Sequence, residues 1–201
     1  MSTVLVLTGL PGSGKSEASE IAKDMSIPVL TMGNIIRTET ANRGLEANSK
    51  NIGMVAMDLR AEFGDDIVLQ RLWPFISEAL DNQNLVLIDG MRSIAERDAL
   101  VRLTGLQPKI LAILASEHTR NSRLVGRQRS DDVKLQKGDD GNNLTPKKDG
   151  FSAVSERDQR EKGWGVEALL KIADYEIENE GSMELFRINV KALLEGLNNP
   201  D

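Results

Sequence analysis

Cysteine is absent from the 201 residues, and one histidine, His118, is all the chain holds of that type. The first absence removes disulfide frameworks, thiolate zinc sites and cysteine nucleophiles together. The second argues against a histidine-ligated metal centre. Long apolar runs are missing too. The longest are Ile110 to Ala115, six residues, and Val4 to Leu7, four, far short of the ~18 needed to span a bilayer. The N-terminus shows no basic segment leading into an apolar stretch. These absences predict a soluble, cytoplasmic protein without membrane contacts. Excess positive charge is also lacking: 25 Lys+Arg stand against 31 Asp+Glu, a net charge of −6. That argues against non-specific nucleic-acid binding, which needs a basic face, but leaves room for local clusters that hold a small anion.

What is present suits one globular domain, residues 1–201, with a core of its own. Strand and helix patterns alternate along it. Thr3 to Thr8 is a short β-branched-rich run closed by glycine and reads as a buried strand. A helix follows from Lys15 to about Met25, with Ala18, Ile21, Ala22 and Met25 on one face. Pro28 to Thr31 reads as a strand, and a polar helix runs from Ile35 to a break at Arg43-Gly44. Ile67 to Leu80 is the clearest amphipathic helix, and Pro74 inside it predicts a kink or restart. Leu85 to Asp89 and Lys109 to Ala115 read as strands, and Glu117 to Arg129 as a helix.

Ser130 to Ser155 is rich in Gly, Asp and Asn with few apolar residues, and reads as a mobile loop or flap. Ser155 is placed to cap a helix, with Asp158 in its first turn. Tyr175 to Asn179 is a last strand, and Gly181-Ser182 opens a closing helix with Phe186, Val190, Leu193, Leu194 and Leu197 on one face. Five strands interleaved with helices predict an α/β fold: a five-stranded parallel sheet with helices on both faces. Ligands of such sheets bind beyond the carboxyl ends of the strands.

One such end carries Gly9-Leu10-Pro11-Gly12-Ser13-Gly14-Lys15-Ser16, an ungapped match to G-x-x-x-x-G-K-S/T. The glycines let successive N–H groups turn inward as an anion nest, and the helix beginning at Lys15 adds its positive end. Lys15 is placed for the β- and γ-phosphates and the Ser16 hydroxyl for magnesium. The motif predicts a nucleoside triphosphate, ATP, with Mg²⁺. No N-K-x-D guanine-reading motif occurs. Asp89 ends a buried strand, where a carboxylate would hold magnesium or its water beside the phosphates.

Further segments resemble nucleoside monophosphate kinases, within them an adenylate-kinase-related family of archaeal type. Met32-Gly33-Asn34-Ile35-Ile36-Arg37 is similar to the acceptor-binding T-G-D-x-(L/V)-R, with Asn34 in place of the acid. Asp89-Gly90-Met91-Arg92 resembles D-G-F-P-R, with the arginine one place earlier. Arg123-Leu124-Val125-Gly126-Arg127 resembles the R-I-V-G-R before an adenylate kinase lid. Ala173-Asp174-Tyr175-Glu176-Ile177, with Asn179, Gly181 and Ser182, is similar to the dephospho-CoA kinase tail A-D-Y-V-I-x-N-x-G-S. The resemblance implies a P-loop kinase with an acceptor-binding insertion (33–66) and a lid (128–160). It further implies that Gly33, Arg37 and Arg92 hold the acceptor phosphate, that Arg123 stacks on the donor adenine, and that Arg127 meets the donor phosphates. Arg157 and Arg160 would swing in with the lid.

The expected activity is transfer of the ATP γ-phosphate to a small phosphate-bearing acceptor such as a nucleoside monophosphate. Two alternatives stand beside it: dephospho-CoA as acceptor, and a nucleotide-dependent assembly factor with slow ATPase activity. His118 reads as a surface residue and Trp73 and Phe75 as packing residues. Trp164, between Gly163 and Gly165, reads as core in preference to a cover for a nucleotide base, and Lys147-Lys148 as a solvated lid tip.

Overall fold

The computed structural model describes residues 2–126, 135–137, 144–146 and 158–199. In chain order these form β1 (Thr3–Thr8), α1 (Lys15–Asp24), β2 (Val29–Thr31), α2 (Met32–Asn42), α3 (Ser49–Phe63), α4 (Ile67–Asn82), β3 (Leu85–Asp89), α5 (Ile94–Thr104), β4 (Lys109–Leu114) and α6 (Glu117–Gly126). There follow β5 (Leu135–Lys137), β6 (Leu144–Pro146), helix α7 over residues 158–163, α8 (Val166–Lys171), β7 (Tyr175–Glu178) and α9 (Met183–Asn198). Five strands make one sheet in the order β2-β3-β1-β4-β7, with every pairing parallel. Parallel neighbours need long crossovers, and helices supply them.

Side chains alternate across a strand, so each strand feeds two cores. Val4 and Val6 join Ile88 and Ile110 on the face covered by α2, α3, α4, α5 and α8. Leu5 and Leu7 join Leu87, Leu111 and Ile113 on the face covered by α1 and α9. This double burial explains why β1, β3 and β4 read as unbroken apolar runs. Because all five strands point the same way, the segments after β1, β2, β3, β4 and β7 emerge along one edge of the sheet. Among the described residues, no helix is long and apolar enough to cross a membrane.

Four departures from the sequence reading have physical reasons. The expected break at Pro74 is not a restart, because α4 continues through it to Asn82. Pro74 and Gln70 are both exposed, so water can reach the Gln70 carbonyl that loses its helical N–H partner. Phe75, read as packing, is 53% exposed, whereas Trp73 does pack against the core. The stretch Ser130 to Ser155, read as a mobile loop or flap with no strands assigned, contains the antiparallel pair β5–β6, with Gln136 opposite Thr145. Its other residues, with Ser155 and Lys147-Lys148, lie outside the described set. Helices α3, α5 and α8 went unread, though Ser93-Ile94-Ala95-Glu96 spells a capping box that the structure forms at α5.

Glu96 does more than cap. It is fully buried and takes the Arg60 guanidinium at 2.8 Å, while its second oxygen accepts the backbone N–H groups of Arg92 at 2.7 Å and Ser93 at 3.2 Å. Removing one partner of a buried ion pair strands the other charge, at about 3–5 kcal/mol. A lost cap costs about 1 kcal/mol. In urea denaturation, Glu96→Ala is therefore expected to lose several times as much stability as Ser93→Ala. Equal losses would reduce Glu96 to a cap.

Candidate functional site

An open cleft of ≈ 240 Å³ lies at the carboxyl edge of the sheet, between α1, the start of α2 and the segment after β3. Pro11, Gly12, Gly14, Lys15 and Ser16 line one side of it. Thr31, Gly33, Arg37, Asp89, Gly90 and Arg92 line the other. Arg123 and Glu161 also face it. The parallel register brings Leu7 of β1 beside Asp89 of β3, which explains why Ser16 and Asp89, distant in sequence, line one cleft.

Gly9, Gly12 and Gly14 all have positive φ. Gly14, at φ 118°, has its would-be Cβ position filled by the Asn179 amide, so this turn admits no other residue without moving the brace behind it. A loop that turns its N–H groups inward turns carbonyls outward, and those need donors. Asn179 Nδ2 donates to the Ser13 carbonyl at 2.8 Å. Arg120 Nη1 donates to the Pro11 carbonyl at 3.0 Å. Arg123 grips both Asn179 oxygens, at 2.8 and 3.2 Å, and reaches the Ser13 carbonyl at 3.5 Å. Lys15 Nζ donates to the carbonyls of Gly9 and, at 3.1 Å, Leu10.

Arg120, Asn179 and Ser13 are buried, so these bonds are shielded from competing water. Arg120 also makes a two-pronged ion pair with Asp158 of α7, at 3.0 and 2.6 Å. This ties the segment beyond β6 to the underside of the loop.

On the far side of the cleft, Arg37 donates to Asn34 Oδ1 at 2.9 Å; the asparagine, standing where the resembled acceptor motif has an acid, holds the arginine in place. Arg92 donates to the Gly90 carbonyl at 2.8 Å and to buried Glu161 at 3.3 Å. Burial works against the Arg92 charge, but the Glu161 carboxylate, then Glu96 and Asp89, outweigh it and hold the guanidinium above its ordinary pKa. Arg92 is therefore a permanent cation. Trp164 is half-buried against the core, with the guanidinium carbons of Arg60, Arg160 and Arg92 at 4.5, 5.8 and 5.9 Å from its ring centroid. The core reading of Trp164 is thus incomplete: it also walls the cleft's inner end.

The structure brings together Lys15, Ser16, Gly33, Arg37, Asp89, Arg92 and Arg123 in one cleft. Arg123 lines the cleft and also braces the loop through Asn179 and Ser13, a role the sequence reading did not give it. The structure puts Arg160 against Trp164 and Gly53 of α3, on the side of Arg37 and Arg92; the sequence reading has it swinging in with the lid. Arg127 and Arg157 lie outside the described residues. His118 is exposed, as read. Arg60, Glu96, Arg120 and Glu161 went unread as parts of this network; of the four, only Glu96 carries a local motif, the capping box at α5.

Ser16 and Asp89 offer two oxygen ligands on one cleft, next to a cradle whose glycines leave no room for Cβ atoms. That donor set fits Mg²⁺, which keeps several waters and takes one or two protein oxygens beside phosphate.

The fold and cradle define a P-loop nucleotide-binding protein of kinase-like α/β architecture. A family model described as an AAA domain matches residues 8–137. A UPF0200 protein of Methanosarcina acetivorans is 38% identical over 194 residues, covering 96% of this chain and 95% of that protein. A UPF0200 protein of Methanocaldococcus jannaschii is 35% identical over 178 residues, covering 89% and 82%. A UPF0200/UPF0201 protein of Archaeoglobus fulgidus is 35% identical over 191 residues, 95% of this chain but 54% of that protein, so the chain spans about half the length of that relative. The chain belongs to the UPF0200 family. Its P-loop domain points to nucleotide-dependent phosphotransfer or nucleoside triphosphatase chemistry.

The brace generates a test. Arg120→Met and Asp158→Leu should each be strongly destabilising, because each strands a poorly hydrated charge. The double variant should recover much of the loss, with a coupling of about 0.5–3 kcal/mol in a urea double-mutant cycle. Strictly additive losses would show that the pair does not act as a unit.

Proposed function

We propose that this protein transfers the γ-phosphate of Mg-ATP to a small phosphate-bearing acceptor, most simply a nucleoside monophosphate. One observation carries the reading. Arg37 and Arg92 line the same cleft as Lys15, Ser16 and Asp89, so a second anion-binding surface faces the triphosphate cradle. A nucleoside triphosphatase that gives phosphate to water has no need of that second surface.

In this reading the loop N–H groups and Lys15 bind the β- and γ-phosphates. Lys15 exchanges its Gly9 and Leu10 carbonyl partners for phosphate oxygens. Magnesium, held through Ser16 and Asp89, would offset charge on the phosphates. Arg37 and Arg92 orient an acceptor phosphate oxygen in line with the γ-phosphorus. As that oxygen forms its bond to phosphorus, the bond to the β-phosphate oxygen breaks and ADP leaves. Phosphoryl transfer asks for positioning and charge compensation more than covalent help. Arg127 and Arg157 would add to the charge compensation, as the resemblance to adenylate kinases implies.

The tail's likeness to dephospho-CoA kinases bears on other parts of the molecule. Asn179 braces the triphosphate loop. Asp174 accepts from the Ile110 N–H and pairs with Lys109, and Ser182 caps α9. None of these faces the acceptor side, so the tail leaves the nucleoside monophosphate reading in front.

The test is steady-state ADP release from Mg-ATP alone, with each nucleoside monophosphate, with dephospho-CoA, and with RNA–protein particles. A small acceptor should raise the rate by orders of magnitude over the acceptor-free rate. Lys15→Ala should abolish it. Arg37→Ala should raise the acceptor KM by about ten- to 150-fold, the worth of a charge-assisted hydrogen bond, with the ATP KM nearly unchanged. Stimulation by RNA–protein particles without a phosphorylated small product would point to an assembly factor and overturn the reading.

A further inference from the structure

Helix α6 carries both arginines that brace the triphosphate loop, and its own start is secured from far away in sequence. Ser116 caps it, with Oγ accepting the Thr119 N–H at 3.3 Å. A full capping box needs a Glu or Gln at that third helical position, to accept the N–H of the capping residue in return. Helix α5 has one, Glu96 answering Ser93. Helix α6 has Thr119 there instead. The Ser116 N–H is accepted by Glu180, from the segment after β7. The other Glu180 oxygen accepts the Thr119 hydroxyl at 2.7 Å and lies 3.2 Å from the Ser116 hydroxyl.

The sheet delivers this carboxylate. Strands β4 and β7 pair in parallel with Leu114 opposite Glu178, and the Asn179 N–H extends the ladder to the Leu114 carbonyl at 2.8 Å. The same register carried onward sets Glu180 against Ser116. The Ser116 N–H, then the Thr119 hydroxyl, hold the Glu180 carboxyl below the ordinary carboxylate range. As an anion it also complements the positive end of α6.

What depends on this clamp is the donor loop. The Arg120 N–H bonds the Ser116 carbonyl at 3.0 Å, and Arg120 Nη1 bonds the Pro11 carbonyl at 3.0 Å. Further along α6, Arg123 holds Asn179 and reaches Ser13. Adjacent residues, Asn179 and Glu180, thus grip α6 at two points. We propose that Glu180 is a positioning residue for the triphosphate loop: it completes the capping box of α6 from another element, and so fixes where Arg120 and Arg123 meet the loop's carbonyls. The role rests on the donor-nucleotide reading of the loop and is independent of what accepts the phosphate.

Glu180 is exposed, and exposed carboxylates are ordinarily replaceable at little cost. The test is the Mg-ADP affinity of the full chain by calorimetry, read beside its melting temperature. Glu180→Ala should weaken Mg-ADP binding roughly tenfold, the lower end of what a charge-assisted hydrogen bond is worth. Glu180→Gln keeps an oxygen for the Ser116 N–H without the charge and should fall between; it keeps the test open if Glu180→Ala loses its fold. The rescue is specific. Thr119→Glu in the Glu180→Ala background supplies the missing box residue from within α6, and should restore most of the affinity. Wild-type Mg-ADP affinity in either single variant, whatever its melting temperature, would reduce Glu180 to a structural cap and overturn the proposal. A double variant that binds no tighter than Glu180→Ala would do the same. No Mg-ADP binding by the wild-type chain would overturn the donor reading, and the clamp with it. Mg-ADP binding that depends on Glu180, with no phosphorylated product from any acceptor, would uphold the clamp and overturn the kinase reading.

Discussion

A peptide loop cannot aim its N–H groups at an anion without aiming carbonyls the other way, and buried carbonyls must be paired. The whole carboxyl edge of this sheet is organised around that constraint. Ser13 and Pro11 present outward carbonyls, and Asn179, Arg120 and Arg123 arrive from β7 and α6 to satisfy them. Those donors are themselves held: Asn179 by Arg123, and Arg120 by Asp158. The glycine at position 14 is fixed by the same logic, because the Asn179 amide occupies the space of its missing side chain. The cradle is thus maintained in its binding shape by side chains up to 166 residues away in sequence. Such pre-organisation reduces the ordering that binding must otherwise supply.

What was legible in the sequence is what local chemistry writes. The Gly9–Ser16 match, its flanking strand and helix, and the apolar runs of β1, β3 and β4 each follow from neighbours within a few residues. Arg37 and Arg92 were also legible as cleft residues, through the resemblance of their segments beyond β2 and β3 to kinase motifs. The braces were not. Arg120 looks like any exposed helical arginine until α6 is packed beneath the loop, 109 residues from Pro11. The Arg60–Glu96 pair joins α3 to α5 across 36 residues, and neither residue carries a motif for it. Arg123 matched the expected segment and lines the cleft, but its bonds to Ser13 and Asn179 could be seen only in the fold.

The two sides of the cleft are built on different principles. The cradle uses backbone N–H groups, with arginines supporting it from behind. Across the cleft, guanidiniums face the open space themselves, positioned by Asn34, Glu161, Glu96 and the Trp164 ring. Backbone donors suit a ligand that is always a triphosphate. In the proposed reading, a ring of long side chains suits a group that must arrive, align and leave as product.

The central claim is that a phosphoryl group crosses this cleft to an organic phosphate and not to water. It is tested most directly by following the phosphorus itself. Mg-ATP carrying ¹⁸O on its γ-phosphate is incubated with the protein and a mixture of nucleoside monophosphates, and the labelled products are resolved by mass. The account predicts that the three labelled oxygens appear together on one nucleoside diphosphate, with little labelled inorganic phosphate. Label recovered only in inorganic phosphate, at a rate the monophosphates do not change, would contradict it.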